Sequence, residues 1–307
     1  MSAVRLRQAG LALAVALTVA VTGCSPAGSD EGAATRPADS PVVVASYDFA
    51  ENEILAEVYA EAVRQAGIPV KVQHGTGTRE VVQPALQQGF VDVVVDYLGT
   101  AVRFVHPDDP AAGRTPVQLH DELTTALAPD GVSVLDAAAA EDQNGFAVLT
   151  RVAQDRGLRR LSDLTAIAPD LVFGAPPECP QRPLCLPGLA QVYGLHFAEV
   201  RSMASRAATV EALIAGEIDV GLLETTDGRL ATAPLTLLAD DRGLQPPEGV
   251  VPLVRTPVLD AWGDRLRSAL DGVSARLTTE DLIGLNRAVE VDGLTPAVAA
   301  ARWWQAG

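Results

Sequence analysis

A nine-residue pattern occurs twice in the chain and constrains the fold more than any other feature. Ala85-Leu86-Gln87-Gln88-Gly89-Phe90-Val91-Asp92-Val93 recurs as Ala212-Leu213-Ile214-Ala215-Gly216-Glu217-Ile218-Asp219-Val220, with the two aspartates 127 positions apart. In each copy a stretch of helical period (Val81, Val82, Ala85 and Leu86; then Val210, Leu213 and Ile214) stops at a glycine, which takes the left-handed conformation of a helix C′ position without strain. An apolar run follows directly, over 91–95 in the first copy and 218–223 in the second. Runs of that length, bounded by turn residues, suit strands buried on both faces of a parallel sheet. Each then gives way to a polar loop, Asp96-Tyr97-Leu98-Gly99-Thr100 or Glu224-Thr225-Thr226-Asp227-Gly228. Ligands of open α/β sheets bind beyond the carboxyl ends of strands, so two such half-sites predict two similar lobes facing one cleft. The alternative is a common αβ turn repeated by chance within some other α/β fold.

The flanking elements fit two lobes. A strand over 42–45 leads to a helix with Ile54, Leu55, Val58 and Val63 on one face and Gly67 as its stop, then a strand over 70–73 and a helix over 78–88. With the run at 91–95 this is a βαβαβ unit, for which right-handed crossovers and a parallel sheet are expected. A helix over 117–127 and extended segments over 132–135 and 146–150 follow. The second lobe repeats the scheme: a short helix over 163–167 capped by Ser162, a strand over 171–174, a helix over 189–193 closed by Gly194, an extended segment over 200–203, then the second copy of the pattern with its helix over 209–215. Strands over 235–238 and 250–254 carry the chain back, and helices over 260–270, 279–289 and 296–305 finish it, the second with a capping signal at Thr278. Trp303 and Trp304 are read as clamping the last helix onto lobe one. Lobe one is thus expected over 41–142 with 251–307, and lobe two over 143–250.

Length and composition agree with this division. The chain has 307 residues, 48% of them hydrophobic, enough for two cores rather than one. A formal charge of −16 with no basic stripe excludes nucleic acid as a partner. Arg5 and Arg7 precede an apolar stretch over 11–21, too short to span a bilayer comfortably and suited to the core of a signal peptide over 1–23. Its end, Val21-Thr22-Gly23-Cys24, resembles a bacterial lipobox, whose cysteine is diacylated and becomes the first mature residue; the alternative is an ordinary secretory signal. Residues 24–40, rich in Ser, Gly, Ala, Asp and Pro, read as a flexible tether.

Catalytic machinery is not legible. His74, His106, His120 and His196 have neither an i, i+4 partner nor a neighbouring cysteine, and no serine sits in a Gly-x-Ser-x-Gly elbow. Gly75-Thr76-Gly77 lacks the third glycine and the lysine of phosphate-binding loops, so no metal or cofactor is expected. Paired acids such as Asp240-Asp241 arise by chance at this composition. Cys179 and Cys185 stand six apart. In an exported chain they would oxidise, closing a loop around Arg182 and contributing about 2 kcal/mol; two free thiols or half of a metal site are the alternatives.

Several motifs resemble one family. Ser46-Tyr47-Asp48-Phe49-Ala50-Glu51 is similar to the Ser-Lys-x-Phe-Thr-Glu loop, Gly77-Thr78-Arg79-Glu80 to the Gly-Ser-Arg-Glu helix start, Asp96-Tyr97-Leu98-Gly99-Thr100 to the Glu-Tyr-Thr-Gly-Thr segment, and Thr226-Asp227-Gly228 to the Thr-Asp-Gly turn of the substrate-binding lipoproteins of osmoprotectant (glycine betaine/choline/carnitine) ABC importers. The resemblance covers nearly the whole mature chain, and 247–252 resembles the family's return-strand entry. It implies the α/β, two-lobed type II periplasmic binding protein fold with a ligand cleft between the lobes. It also implies a monomer, lipid-anchored at Cys24 on the extracytoplasmic face of the cell membrane, that delivers a quaternary-amine or zwitterionic solute to a permease and its ATPase. A quaternary ammonium cannot donate a strong hydrogen bond, so ring faces are its natural partners, and in this family tyrosines box it while an arginine holds a carboxylate tail.

By that resemblance Tyr97 matches a box position with Thr100 beside it, Asn144-Gly145-Phe146 stands for Asn-Thr-Tyr, and Pro177, Glu178 and Arg182 keep the carboxylate anchor. Glu224 and Glu248 replace box tyrosines, and Tyr47 replaces a lysine. The expectation is one pocket lined by Tyr97 and Thr100 from lobe one and by Phe146, Arg182 and Glu224 from lobe two. Arg182 would hold a carboxylate while the rings, with Glu224 and Glu248, hold the positive end, and the lobes would close on the ligand like a hinge. A non-cationic polyhydroxylated or phenolic ligand in the same fold, a solute sensor, and a hydrolase using clustered carboxylates are the rival readings.

Overall fold

The computed structural model describes residues 40–306 except 108–110 and 112; the expected signal peptide, Cys24 and most of the tether lie outside the described residues. The first lobe is built from β1 (Val42–Ala45), α1 (Ala50–Gln65), β2 (Val70–Gln73), α2 (Arg79–Gln88), β3 (Val93–Tyr97), α3 (Leu98–Val105), α4 (Pro116–Leu127) and β4 (Val132–Val134). The chain then crosses to β5 (Asn144–Leu149), α5 (Thr150–Arg156), β6 (Val172–Ala175), the single turn α6 (Leu186–Gly188), β7 (Glu199–Ser202), α7 (Arg206–Ala215), β8 (Val220–Glu224) and β9 (Leu235–Leu238). It returns along β10 (Val250–Arg255) and ends in α8 (Thr256–Trp262), α9 (Asp264–Ser274), α10 (Thr279–Asn286) and α11 (Pro296–Ala306).

Two separate five-stranded sheets result, ordered β2-β1-β3-β10-β4 and β7-β6-β8-β5-β9. They have the same plan. In each, the second strand is flanked by two parallel neighbours (β1 with β2 and β3; β6 with β7 and β8), as the βαβαβ reading expects. In each, the next strand runs antiparallel and is the one that has crossed from the other lobe. β10 pairs with β3 from Val250↔Tyr97 to Val254↔Val93, and β5 pairs with β8 from Asn144↔Glu224 to Ala147↔Gly221. The carboxyl ends of β3 and β8 therefore lie beside the two chain crossings, which are themselves bridged at Glu141↔Gly249.

The duplicated pattern folds the same way twice. Phe90 N donates to Ala85 O at 2.9 Å and Glu217 N to Ala212 O at 2.9 Å, the wider bond of a Schellman ending, with Gly89 and Gly216 left-handed at φ 82° and 73°. Each aspartate grips the neighbouring strand: Val43 N donates to Asp92 Oδ2 at 2.8 Å, and Val172 N to Asp219 Oδ2 at 2.8 Å. These carboxylates hold the strand entry, so the strands begin after them, and β3 and β8 lie about two residues further along than the apolar runs alone predict. The Leu98-Gly99-Thr100 segment, expected as a loop, is the first turn of α3. The expected helix over 260–270 is two helices, α8 and α9, divided at Gly263, whose φ of 58° and ψ of −144° no helix accommodates. The helix expected over 163–167 is a 3-10 turn, Leu161–Leu164, and the one over 189–193 is a wide π-type turn closed by left-handed Gly194.

α1 runs through the core of the first lobe, with Ile54, Leu55, Val58, Tyr59 and Val63 buried against the sheet and the C-terminal helices. Trp304 Nε1 donates to Val58 O at 3.0 Å, and the Arg276 guanidinium lies 4.1 Å and 4.7 Å from the Trp303 and Trp304 ring centres, so these rings do clamp α11 onto lobe one. The second core gathers Phe146, Phe173, Leu189, Tyr193 and Leu222.

Gly216→Ala is expected to cost about 1 kcal/mol, the strain of an L residue in the left-handed region with open space around the new methyl. Gly89→Ala should cost more, because its Cβ would in addition lie 2.6 Å from the Arg255 guanidinium carbon. Urea denaturation of both variants measures the difference, and equal losses would remove Arg255 from the explanation.

Candidate ligand-binding site

A cavity of about 680 Å³ opens between the lobes. Lobe one supplies Phe49, Ala50 and Glu51 from the start of α1, together with Asn286 and Glu290 from the C-terminal helices. Lobe two supplies residues 205–207 at the start of α7 and Glu224, Thr226, Asp227 and Arg229 beyond the end of β8, while Asp142 comes from the first crossing. The cavity thus lies past the carboxyl ends of the strands.

Local hydrogen bonds aim the α1 side of this wall. Gly75 N donates to Ser46 Oγ at 2.9 Å, Tyr47 N to Asn52 Oδ1 at 2.7 Å, and Asn52 Nδ2 to Val95 O at 2.8 Å. The loop before α1 is thereby pinned to β3 and to the loop after β2, with Phe49 left 43% exposed at the cavity. Its ring stacks on Tyr47 at 6.1 Å and on Tyr97 at 6.3 Å between centres. The two tyrosines are buried behind it with their hydroxyls committed: Tyr47 donates to Asp96 Oδ2 at 2.6 Å and Tyr97 to Glu51 Oε1 at 2.6 Å.

The charges of the cavity do not cancel. Arg206 Nε donates to both Glu224 oxygens at 2.7 Å. Arg229 Nη1 lies 3.1 Å from Asp227 Oδ1 and 3.5 Å from Glu290 Oε2. Glu51 and Asp142 have no cationic partner among the described residues. Glu51 accepts from Tyr97 and, at 2.6 Å, from Asn286 Nδ2; Asp142 Oδ1 accepts from Thr226 Oγ1 at 2.9 Å. Burial, reinforced by the nearby Glu51 charge, pushes the Asp142 carboxyl well above the usual range against the opposing pull of its Thr226 bond. A cavity with this surplus of acidic groups favours a positively charged occupant, whose charge would also offset the cost of ionising Asp142.

Arg206 is a product of the internal repeat. It stands 127 positions after Arg79, and both open the helix of their copy. Arg79 grips Asp96 with Nε at 2.9 Å and Nη2 at 2.5 Å within lobe one, where Asp96 is fully buried and Arg79 mostly so. The corresponding arginine of lobe two pairs instead with Glu224, and this pair is partly exposed and lines the cavity.

The expected site residues are only partly brought together. Glu224 lines the cavity, and Tyr97 and Tyr47 stand behind Phe49. Phe146 does not reach it: it pairs with Leu222 and Leu238 across β8 and β9 and turns inward, 6.1 Å from the Phe173 ring, because the strand's alternation puts this position on the core face. Thr100 and Glu248 satisfy each other, with Thr100 N and Oγ1 both donating to the Glu248 carboxylate at 2.8 Å. Glu248 thus caps the start of α3 and is absent from the cavity wall. Arg182 is exposed and pairs with Glu178 at 3.0 Å on the loop closed by the Cys179–Cys185 disulfide, whose Cα atoms are 5.3 Å apart. It borders a second, smaller cavity of about 230 Å³ with Arg103, Asn144 and Arg206. Arg206 is the residue common to both spaces.

Phe49, Glu51, Asp142, Arg206, Asp227, Arg229, Asn286 and Glu290 complete the main wall and were not among the expected ligand residues. Phe49 and Glu51 had a signal in the loop resemblance, and Arg206 in the 127-residue offset. Asn286 had none. It comes from the far end of the chain and meets Glu51 only through the packing of α10 on α1. The lobes also touch closely there: a Cβ on Gly228 would lie 2.3 Å from the backbone nitrogen of Arg287.

Burial pushes Glu248 up to about 7, against its bonds from Thr100. Between the ordinary carboxyl value of 4.5 and about 7 the folded protein holds a proton that the unfolded chain releases. Stability therefore grows as pH falls through this window, and the penalty of the buried charge is complete above it. Glu248→Gln is expected to weaken the rise in unfolding midpoint between pH 8 and pH 5.5, with its largest relative gain at pH 8. Urea titrations at the two pH values test this, and an unchanged pH dependence would refute it. Asp142, shifted in the same direction, remains in the variant, so the rise is reduced rather than removed.

Comparison with known proteins agrees with the two-lobed cleft. Residues 40–306 match the family described as the substrate binding domain of ABC-type glycine betaine transport systems. The glycine betaine-binding protein YehZ of Escherichia coli (strain K12) is 26% identical over 274 residues, covering 86% of this chain and 90% of that protein. The carnitine transport binding protein OpuCC of Listeria monocytogenes is 25% identical, covering 83% of each. Among solved structures, a glycine betaine/carnitine/choline ABC transporter protein superposes with a TM-score of 0.80 at 21% identity over 86% of this chain and 98% of that one. Ligand-free YehZ from Escherichia coli superposes with a TM-score of 0.77 at 25% identity over 87% and 98%.

Proposed function

Because the chain belongs to the family of substrate-binding domains of ABC-type glycine betaine transport systems, we propose that it is the extracytoplasmic solute-binding lipoprotein of an ABC importer, taking a cationic or zwitterionic amine of compatible-solute size into the cleft between its lobes. The observation that carries the ligand class is the pair of acids, Glu51 and Asp142, that line the cavity with no cationic side chain paired to them among the described residues. The names of its relatives, which bind glycine betaine or carnitine, support an amine of that size. A zwitterion would direct its carboxylate toward the smaller cavity, where Arg103, Arg182 and Arg206 converge. Phe49, backed by Tyr47 and Tyr97, would give the positive end one ring face.

Closing the lobes on such a ligand joins Glu51 of lobe one to Arg206 and Glu224 of lobe two, and the closed form is what a permease with its ATPase would recognise. On this reading residues 1–23 are a lipoprotein signal peptide, 24–40 a tether, 41–142 with 251–307 lobe one and 143–250 lobe two. The protein acts as a monomer held to the membrane through lipid on Cys24, and it carries out no reaction of its own.

Two measurements test this. In a thermal-shift screen, organic cations and zwitterions should stabilise the protein, by about 2.7 kcal/mol at one hundred times the dissociation constant. Stabilisation by neutral polyols or phenolics alone would reject the ligand class, and turnover of a stabilising ligand would favour an enzyme. Cys24→Ala should move the protein from the membrane fraction to the soluble one. Retention in the membrane would reject the lipid anchor while leaving the ligand reading intact.

A further inference from the structure

Asn286 is 4% exposed, and the orientation of its amide is set by two acceptors. Nδ2 donates to Glu51 Oε2 at 2.6 Å and to Thr226 O at 2.9 Å, so the side-chain oxygen of Asn286, a residue that lines the cavity, is left as an acceptor. That oxygen is buried without a hydrogen-bond partner among the described residues. A buried acceptor of this kind bears its full desolvation cost until a donor arrives. Beside it stand Glu51 and Asp142, each carboxylate having more acceptor positions than these bonds fill. Against these acceptors the cavity wall offers one aromatic ring among the described residues, Phe49, since Phe146 is in the core.

A permethylated ammonium draws its binding from several ring faces and donates no strong hydrogen bond. It would neutralise the carboxylates but leave the Asn286 carbonyl and the open lone pairs of Glu51 and Asp142 without donors. An ammonium or guanidinium with N–H groups supplies charge and donors together, and a planar guanidinium can also lie against the single exposed face of Phe49. We propose that the cleft selects organic cations bearing N–H groups over their permethylated counterparts, with Asn286 Oδ1, Glu51 and Asp142 accepting those N–H groups. This rests on the reading that the cleft binds an organic cation, and it narrows the head group that the cation carries.

The test is calorimetric binding of two N-methylation series to the purified full-length chain at pH 7, where every member is cationic at nitrogen. One series runs from ethanolamine to choline and the other from 4-aminobutyrate to its trimethylammonium analogue. Affinity should fall roughly tenfold or more from the unmethylated to the trimethylated end, the loss of about one charge-assisted hydrogen bond or more. In Glu51→Gln and Asp142→Asn, which keep shape and polarity, that ratio should shrink toward one, whereas a purely structural role would weaken all members alike and leave the ratio unchanged. Affinity that is flat or rises with methylation overturns the selection while leaving a cation site in place. Binding of no member of either series overturns the selection and the cation reading together.

Discussion

The Glu51 carboxylate is the point at which the separate parts of this chain become one structure. It sits in the first turn of α1, where the helix dipole favours a negative charge, and it accepts from the Tyr97 hydroxyl at the end of β3 and from the Asn286 amide at the end of α10. The same amide continues to the Thr226 carbonyl in lobe two. One buried acid thus connects the N-terminal unit, the returning C-terminal helices and the opposite lobe. Hydrogen bonds to a buried carboxylate are among the stronger polar interactions available to a protein, and none of these donors is a cation. The site consequently holds negative charge in place without neutralising it, a condition suited to receiving a positive ligand.

The two lobes share a plan and differ where it matters for binding. Each has the same strand order, the same glycine-ended helix and the same aspartate holding a neighbouring backbone N–H. Each also opens the repeated helix with an arginine. In lobe one the arginine meets Asp96, which is fully buried, and this pair serves the core. In lobe two the partner is Glu224, and the pair lies at the junction of the two cavities, within reach of a ligand. The repeat thus supplies the arginine twice but not its partner: the position 127 after Asp96 is Leu223, and the acid that pairs with Arg206, Glu224, stands one residue further on, at the cleft wall.

Much of the architecture is legible in the chain because it depends on local rules. Apolar runs, glycine stops and the Thr278 capping signal fall where strands and helices do, and the repeat at an offset of 127 announces two matching lobes. The misplaced boundaries have side-chain causes. Asp92 and Asp219 delay their strands by occupying the entry, and Glu248, from 148 residues away, extends helix α3 to Leu98 by capping it. The candidate site is less legible. Phe146 and Glu248 sit at positions that match box residues by resemblance, yet strand alternation turns the first into the core and the α3 terminus engages the second. Asp142 and Asn286 carry no motif at all.

The sequence by itself determined two α/β lobes, the cleft-facing strand ends, the disulfide loop and the acidic character of Glu224, since each follows from residues close together or repeated at a fixed offset. Which acids remain unbalanced was decided by tertiary structure alone. Arg206 reaches Glu224 and Arg229 reaches Asp227, while among the described residues Glu51 and Asp142 meet only neutral donors from distant segments. Composition counts charges but not their pairing, and pairing depends on distances of a few ångströms between side chains separated by as many as 235 positions.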